Sequence, residues 1–243
     1  MILLLSGEGA TDIGSCERVT VSCEGPDFKP GPMTFLIDKL VEPHWGYSPL
    51  STLSCVFISE SALSHFCRTH AMGTTLPGKK KAVETGIFFK NARGLARMAE
   101  ARSTRDGCPV GAVLFRDSDG TNASHRSLWD DKVSSIEAGF AAEEFCFGVP
   151  MVPKPKSEAW LLCAVQKNQY QNCSRFEDLP GNDASPKSAK KELAQALIAR
   201  KRSYEDVCNM IENGEIDPQQ IQMPSYKKFS DRLETVAQEM RAR

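Results

Sequence analysis

No stretch of this chain approaches the roughly 18 consecutive apolar residues that a membrane-spanning helix needs, so no membrane contact is expected. An excess of charge of either sign is missing as well. The 30 Lys and Arg nearly balance 31 Asp and Glu, leaving a net charge of -1. That balance excludes a bulk polycation, and binding of nucleic acid would have to come from a local basic face. Aromatic residues make up only 8% of the chain and are thinly interleaved with the basic ones, so base stacking along a basic surface is not expected. The 9 cysteines contain no Cys-x-x-Cys pair, which leaves a zinc site without its usual half. The segment His65-Phe66-Cys67-Arg68-Thr69-His70 is therefore read as helix surface. Met1 to Leu5 is too short, too soon interrupted by Glu8 and too poor in basic residues for a secretory leader.

What the chain does contain is ordinary for a soluble globular protein. It has 243 residues, 41% hydrophobic and 25% charged, enough for one large domain or a main domain with an appendage. A chain of this size builds a core without disulfide staples. Cys55, Cys108, Cys146 and Cys163 sit beside apolar residues, where a thiol behaves as a small hydrophobe. The expectation is reduced cysteines and a cytoplasmic location.

Strand and helix patterns alternate up to about residue 165. Ile2 to Leu5 is a continuous apolar run ended by Gly7, as in a strand buried on both faces. Helical spacing follows over Pro30 to Val41, then a strand over Leu53 to Ile58 and a basic amphipathic helix over Phe88 to Ala101. Val110 to Phe115 is the clearest buried strand, followed by a helix over Ser124 to Glu144, a strand over Cys146 to Val152 and a helix over Ser157 to Val165 with Ser157 as N-cap. Asn168 to Ser188 is polar and rich in Asn, Asp, Pro and Gly, hence a loop. Helices are predicted over Ala189 to Ala199, Tyr204 to Glu212 and Ser225 to Arg241. The fold class expected is α/β: a Rossmann-like, mostly parallel sheet flanked by helices over residues 1–166, with an irregular insertion within about 22–105. Residues 167–243 form a C-terminal helical annex packed on it.

Three acidic clusters each lie where a buried strand runs out. They are Gly7-Glu8-Gly9 with Asp12, then Asp117-Ser118-Asp119-Gly120, then Glu158 after Val149 to Pro153. In an open parallel sheet the residues just past the carboxyl ends of strands converge on one crevice. Carboxylates from three such ends make an oxygen-rich site for a hard divalent cation. Each cluster also has a plainer reading. Glu8 and Asp12 would suit the N-terminus of a helix starting near Gly9, where the dipole favours negative charge. Asp119-Gly120 is a turn signal, although alternation aims Asp117 and Asp119 to one side, where two like charges need a cation between them. Glu158 can simply support its helix's first turn, and Trp160 belongs in the core. Lys154 and Lys156 flank Pro155 just before that helix, a place that suits phosphate. Lys79, Lys80, Lys81, Lys90, Arg93 and Arg97, and later Lys187, Lys190 and Lys191, offer a track for a phosphate backbone, against the plainer reading of solvated surface.

Read together, Gly7-Glu8-Gly9 with Thr11-Asp12, Arg116-Asp117-Ser118-Asp119, and Pro155 with Glu158-Ala159-Trp160-Leu161-Leu162 resemble the TOPRIM domain. That module is shared by topoisomerases, primases and overcoming-lysogenization-defect nucleases. Ser185-Pro186-Lys187 and Pro224 to Phe229 look like the C-terminal half of a compact bacterial branch of it, so the resemblance covers nearly the whole chain. It implies that Glu8 is the glutamate after the first strand and that Asp117 and Asp119 form the Asp-x-Asp. Asp12 and Glu158 would be the further acidic residues of the nuclease branch.

The expected function is a metal-dependent nuclease. Glu8, Asp12, Asp117, Asp119 and Glu158 would hold one or two Mg²⁺ or Mn²⁺ ions, or Glu8 would serve instead as general acid/base, the role the resemblance to topoisomerases implies, and Lys187 would neutralise the phosphate in the transition state. The nucleic acid is DNA or RNA, contacted through Lys79, Lys80, Lys81, Lys90, Arg93, Lys154 and Lys156. By resemblance, such proteins serve bacterial defence against phage, in some cases with a partner ATPase. Two rivals remain open. Asp117-Ser118-Asp119-Gly120-Thr121 also resembles the signature of haloacid-dehalogenase-type phosphatases, with Asp117 as nucleophile and Asp119 as general acid/base. The other rival is a non-catalytic TOPRIM subunit that only binds a partner.

Overall fold

The computed structural model describes residues 1–9, 11–17, 22–73, 83–118 and 127–243. The first half of the chain forms strands β1 (Ile2–Gly7), β2 (Gly14–Cys16), β3 (Ser22–Glu24) and β4 (Phe28–Pro30), helix α1 (Pro32–Trp45), strand β5 (Cys55–Ser59), and helices α2 (Glu60–Thr69) and α3 (Val83–Asp106). The second half forms β6 (Val110–Phe115), α4 (Ser127–Ala141), β7 (Gly148–Met151), α5 (Ser157–Val165), α6 (Ala189–Ala199), α7 (Val207–Glu212) and α8 (Pro224–Arg241). Short 3-10 helices occupy Gly25–Asp27, Cys173–Asp178, Tyr204–Asp206 and Pro218–Gln220.

The main sheet has the order β3-β5-β1-β6-β7. The strands β5, β1, β6 and β7 are parallel, and the short β3 lies antiparallel against β5 at the edge. The fold is thus α/β with a mixed, mostly parallel sheet. Every residue of β6 and β7 is buried, as continuous apolar runs in covered parallel strands should be. Pro150 is tolerated because β7 is an edge strand.

Two glycines report what covers the sheet. Ala112 of β6 and Gly148 of β7 are register partners and point to one face, so Gly111 points to the other. A Cβ at Gly148 would press into the Phe140 ring of α4. A Cβ at Gly111 would lie 2.9 Å from Met240 Sδ of α8. Helices therefore cover both faces, and the C-terminal segment supplies one cover. A single apolar cluster runs from Leu3 through Trp160 to Met240, so residues 167–243 share the core of the sheet.

Several elements run longer than their sequence patterns predict. The helix α1 continues past Val41 and through Pro43, because Trp45 is buried against α8, where its Nε1 donates to the Ala237 carbonyl at 3.2 Å. It ends at Gly46, whose φ of 79° supplies the left-handed C-terminal turn. Among the described residues no helix starts near Gly9; residues 11–13 are a turn that leads into β2, which pairs with β4. The 65–70 segment is helical, with Cys67 buried and His70 stacked on Phe66 at 4.0 Å. Among the described residues no helix is long and apolar enough to cross a membrane.

The expectation of wholly reduced cysteines is overturned. Cys16 pairs with Cys23, and Cys163 pairs with Cys173. The Cα separations of 5.7 and 5.2 Å lie in the range a disulfide requires. Cys163 is apolar in surroundings but stands opposite the 3-10 turn that carries Cys173, and that proximity decides its chemistry. Cys55 and Cys67 are buried thiols, whereas Cys146 is exposed rather than buried among apolar neighbours. The cytoplasmic expectation rested on reduced cysteines and loses that support.

Candidate carboxylate site at the strand ends

The strands β5, β1 and β6 end side by side, with Ser59, Gly7 and Phe115 in register. The next residues are Glu60, Glu8 and Arg116. Glu8 Oε1 accepts the Asp117 backbone N–H at 2.8 Å, and its Oε2 accepts Arg116 Nη1 at 3.2 Å. The same Arg116 nitrogen donates to Glu60 Oε1 at 2.7 Å. Arg116 is nearly buried, and a buried guanidinium is stable only against acceptors of this kind.

Asp12 reaches the crevice by a tight turn. Gly9 has φ 81°, and its carbonyl accepts the Asp12 N–H at 3.1 Å. A side chain at Gly9 would also strike the Asp12 carboxylate, so this position needs glycine on both counts. The Asp12 carbonyl accepts the Met33 N–H at 3.0 Å at the start of α1, which fixes the far end of the turn.

Ser157 ties the clusters together. Its N–H donates to Asp117 Oδ1 at 3.2 Å, and its hydroxyl donates to Asp12 Oδ1. The N-cap of α5 is Lys156, not Ser157 as its sequence suggests. The helix end is instead met by Asp117, a carboxylate from a neighbouring strand, which is the charge its dipole favours. Ser118 donates from its N–H and its hydroxyl to the Pro155 carbonyl at 3.2 and 3.1 Å, and the buried Lys132 donates to the Ser118 carbonyl at 2.8 Å. These bonds clamp the end of β6 to the start of α5, across the cis Lys154-Pro155 bond.

The electrostatics follow from that crowding. Burial pushes the Asp12 carboxyl above its ordinary value, and the nearby Glu8 adds to this, against the hydrogen bonds from Ser157 and Thr11 and the charge of Lys156. Burial likewise raises Glu158, with Asp12 and Asp183 as further like charges. The Tyr204 phenol is raised by burial and then by Asp12 and Glu158, so it stands as a protonated neighbour of the cluster.

Glu8, Asp12, Asp117 and Glu158 are therefore brought to one crevice. Asp119 lies outside the described residues, as do Lys79, Lys80 and Lys81. Among the described residues no three Asp, Glu, His or Cys side chains stand close enough to hold an ion jointly. Glu8 is turned toward Arg116 and the Asp117 N–H, and Asp12 toward Ser157. The donor chemistry nonetheless fits a hard divalent cation, since all the ligands are carboxylate oxygens and two of them carry charge that burial penalises.

The basic residues are mostly engaged within the protein. Glu143 accepts from Arg93 Nε at 2.5 Å and from Arg97 Nε at 2.6 Å. Lys156 pairs with Asp183 at 2.9 Å, and Lys154 lies 3.9 Å from Glu177. Lys90 is half-buried on α3. Lys187 is exposed in the loop before α6, whereas Lys156 is the lysine whose charge acts on both Asp12 and Glu158. Sequence reasoning missed Arg116, Glu60, Ser157 and Tyr204 as parts of the site. The one available signal was an arginine placed directly after a wholly buried strand. No family model, characterised protein or solved structure matches this chain.

Proposed function

We propose that the chain is a metal-dependent phosphodiesterase acting on nucleic acid, built on a TOPRIM-like arrangement. The observation that carries this reading is the meeting of Glu8 and Asp117 at adjacent strand ends, with Ser157 drawing Asp12 to the same point. Glu8, Asp12, Asp117, Asp119 and Glu158 would hold Mg²⁺ or Mn²⁺, which when bound activates water and stabilises the leaving oxygen. Arg116 and the Asp117 N–H hold the Glu8 carboxylate at the crevice. Ser157 sets the spacing between Asp12 and Asp117. Lys156, beside Asp12 and Glu158, is better placed than Lys187 to neutralise phosphate as it arrives.

The haloacid-dehalogenase-type reading needs only Asp117 and Asp119, and leaves the bonds of Glu8 and Asp12 without purpose. Three measurements test the proposal. Calorimetric titration with Mn²⁺ should give binding that Glu8→Gln or Asp119→Ala weakens at least about tenfold, and both variants should lose Mn²⁺-dependent cleavage of an oligonucleotide. Stable trapping by beryllium fluoride would instead favour a nucleophilic Asp117 and overturn the phosphodiesterase reading.

A further inference from the structure

Beside the carboxylates a cleft of about 450 Å³ opens along α6. Leu193, Ala194, Leu197 and Ile198 give it an aliphatic lining that Tyr204 shares, and Glu158 joins it to the carboxylate site. Ile198 is 72% exposed at the mouth, a large apolar side chain with little of its surface covered. Lys190, also on the rim, is 64% exposed and lies 3.5 Å from Asp183. An ion pair so open contributes little and is readily exchanged for a phosphate.

We propose that this cleft seats one unstacked nucleoside of the substrate, with the adjoining phosphodiester delivered to the carboxylates. The inference rests on the phosphodiesterase reading and names its substrate class as single-stranded nucleic acid. The cleft's volume falls in the range of sites that enclose a small ligand. Its aliphatic wall and the Tyr204 ring offer flat apolar contact to any base, a sequence-tolerant mode of holding a single strand. Glu158 is shared by the cleft and the carboxylate cluster, so a base seated in the cleft would carry its own phosphodiester toward the carboxylates. A base inside a duplex is stacked and paired and must leave the stack to enter such a pocket, which disfavours double-stranded substrate.

The test uses the full chain with Mn²⁺ and three probes: bis(p-nitrophenyl) phosphate, a single-stranded oligonucleotide in DNA and RNA forms, and the blunt duplex of the DNA form. Ala194 is exposed on α6, so Ala194→Trp fills the cleft without disturbing packing. The parent should cleave single strand at least about tenfold faster than duplex. Ala194→Trp should lower the ratio of single-strand to small-diester turnover about tenfold, the loss expected for one stacked base. Calorimetry with deoxyadenosine monophosphate on the metal-free protein should show binding that Ala194→Trp removes. Ile198→Glu, at the mouth, should act in the same direction and serves if the tryptophan variant misfolds. An unchanged ratio in both variants, or equal rates on duplex and single strand, overturns the nucleoside subsite and leaves the phosphodiesterase reading standing. A parent that cleaves none of the probes overturns both.

Discussion

Replacing Arg116 with Met isolates the charge that holds the strand ends together. Arg116 is 6% exposed, and its Nη1 serves Glu8 and Glu60 at 3.2 and 2.7 Å. Methionine keeps much of the apolar stem and removes the cation, so packing loss is small. Removing one partner of a fully buried ion pair costs about 3–5 kcal/mol. Here the carboxylates are only partly covered, with Glu8 and Glu60 side chains 40% and 49% exposed, and water recovers part of that loss. The expected cost is about 2–3 kcal/mol, close to the worth of one charge-assisted hydrogen bond. For a chain of this size that lowers Tm by roughly 5–10 °C. Urea and thermal unfolding in EDTA measure it, with Glu60→Gln as the control, expected to cost less than about 1 kcal/mol. Repeating the measurement with Mn²⁺ should shrink the Arg116→Met deficit, because the ion supplies positive charge beside Glu8. An Arg116→Met protein within about 0.5 kcal/mol of the parent in EDTA would refute the assignment of Arg116 as the counter-charge of the site.

Asp12→Asn should stabilise the metal-free protein at neutral pH. A carboxyl whose folded pKa is raised above its unfolded value of 3.8 penalises folding above that window, and the penalty fades as pH falls through it. The advantage of Asp12→Asn should therefore vanish in acid, which unfolding at pH 7 and pH 3 will check. Replacing Lys79, Lys80 and Lys81 together by Ala should flatten the slope of log affinity against log salt by about one for each phosphate no longer neutralised, leaving Mn²⁺ affinity unchanged. Reducing the two disulfides should lower stability by about 2–3 kcal/mol each, given sequence separations of 7 and 10, and denaturant unfolding with and without dithiothreitol measures the loss.

What was legible in the sequence was local. The strand β6 and the helix α6 fall where their patterns predict, because an unbroken apolar run and a clean helical repeat leave few alternatives. Glu8 and Asp117 were legible as a pair because each closely follows a buried strand, and parallel pairing makes such ends neighbours. What escaped depends on contacts far apart in the chain. Arg116 meets Glu8 across 108 residues, and Ser157 meets Asp12 across 145. Ser157 was recognisable as a helix start, but its hydroxyl is spent on Asp12 and not on its own backbone. The cysteine pairs escaped for the same reason. An apolar neighbourhood speaks for a buried thiol, but only the fold decides whether a second sulfur stands opposite.

The distribution of compensation within the site points to where a cation would bind first. Glu8 is satisfied twice, by Arg116 and by the Asp117 N–H, so an ion approaching it must displace a guanidinium that is itself costly to leave unpaired. Asp12 and Glu158 are in the opposite condition. Burial raises both carboxyls, helped by Glu8 at Asp12 and by Asp12 at Glu158, and outweighs the Ser157 hydrogen bond to Asp12 and the Lys156 charge. A divalent cation held by Asp12 and Glu158 would relieve that penalty at the Glu158 end of the cleft. Glu8 would join such a site only if Arg116 gave way. The cleft and the cation side of the proposed site would then be contiguous through Glu158, and the substrate's phosphate would enter where a bound cation offsets the carboxylates.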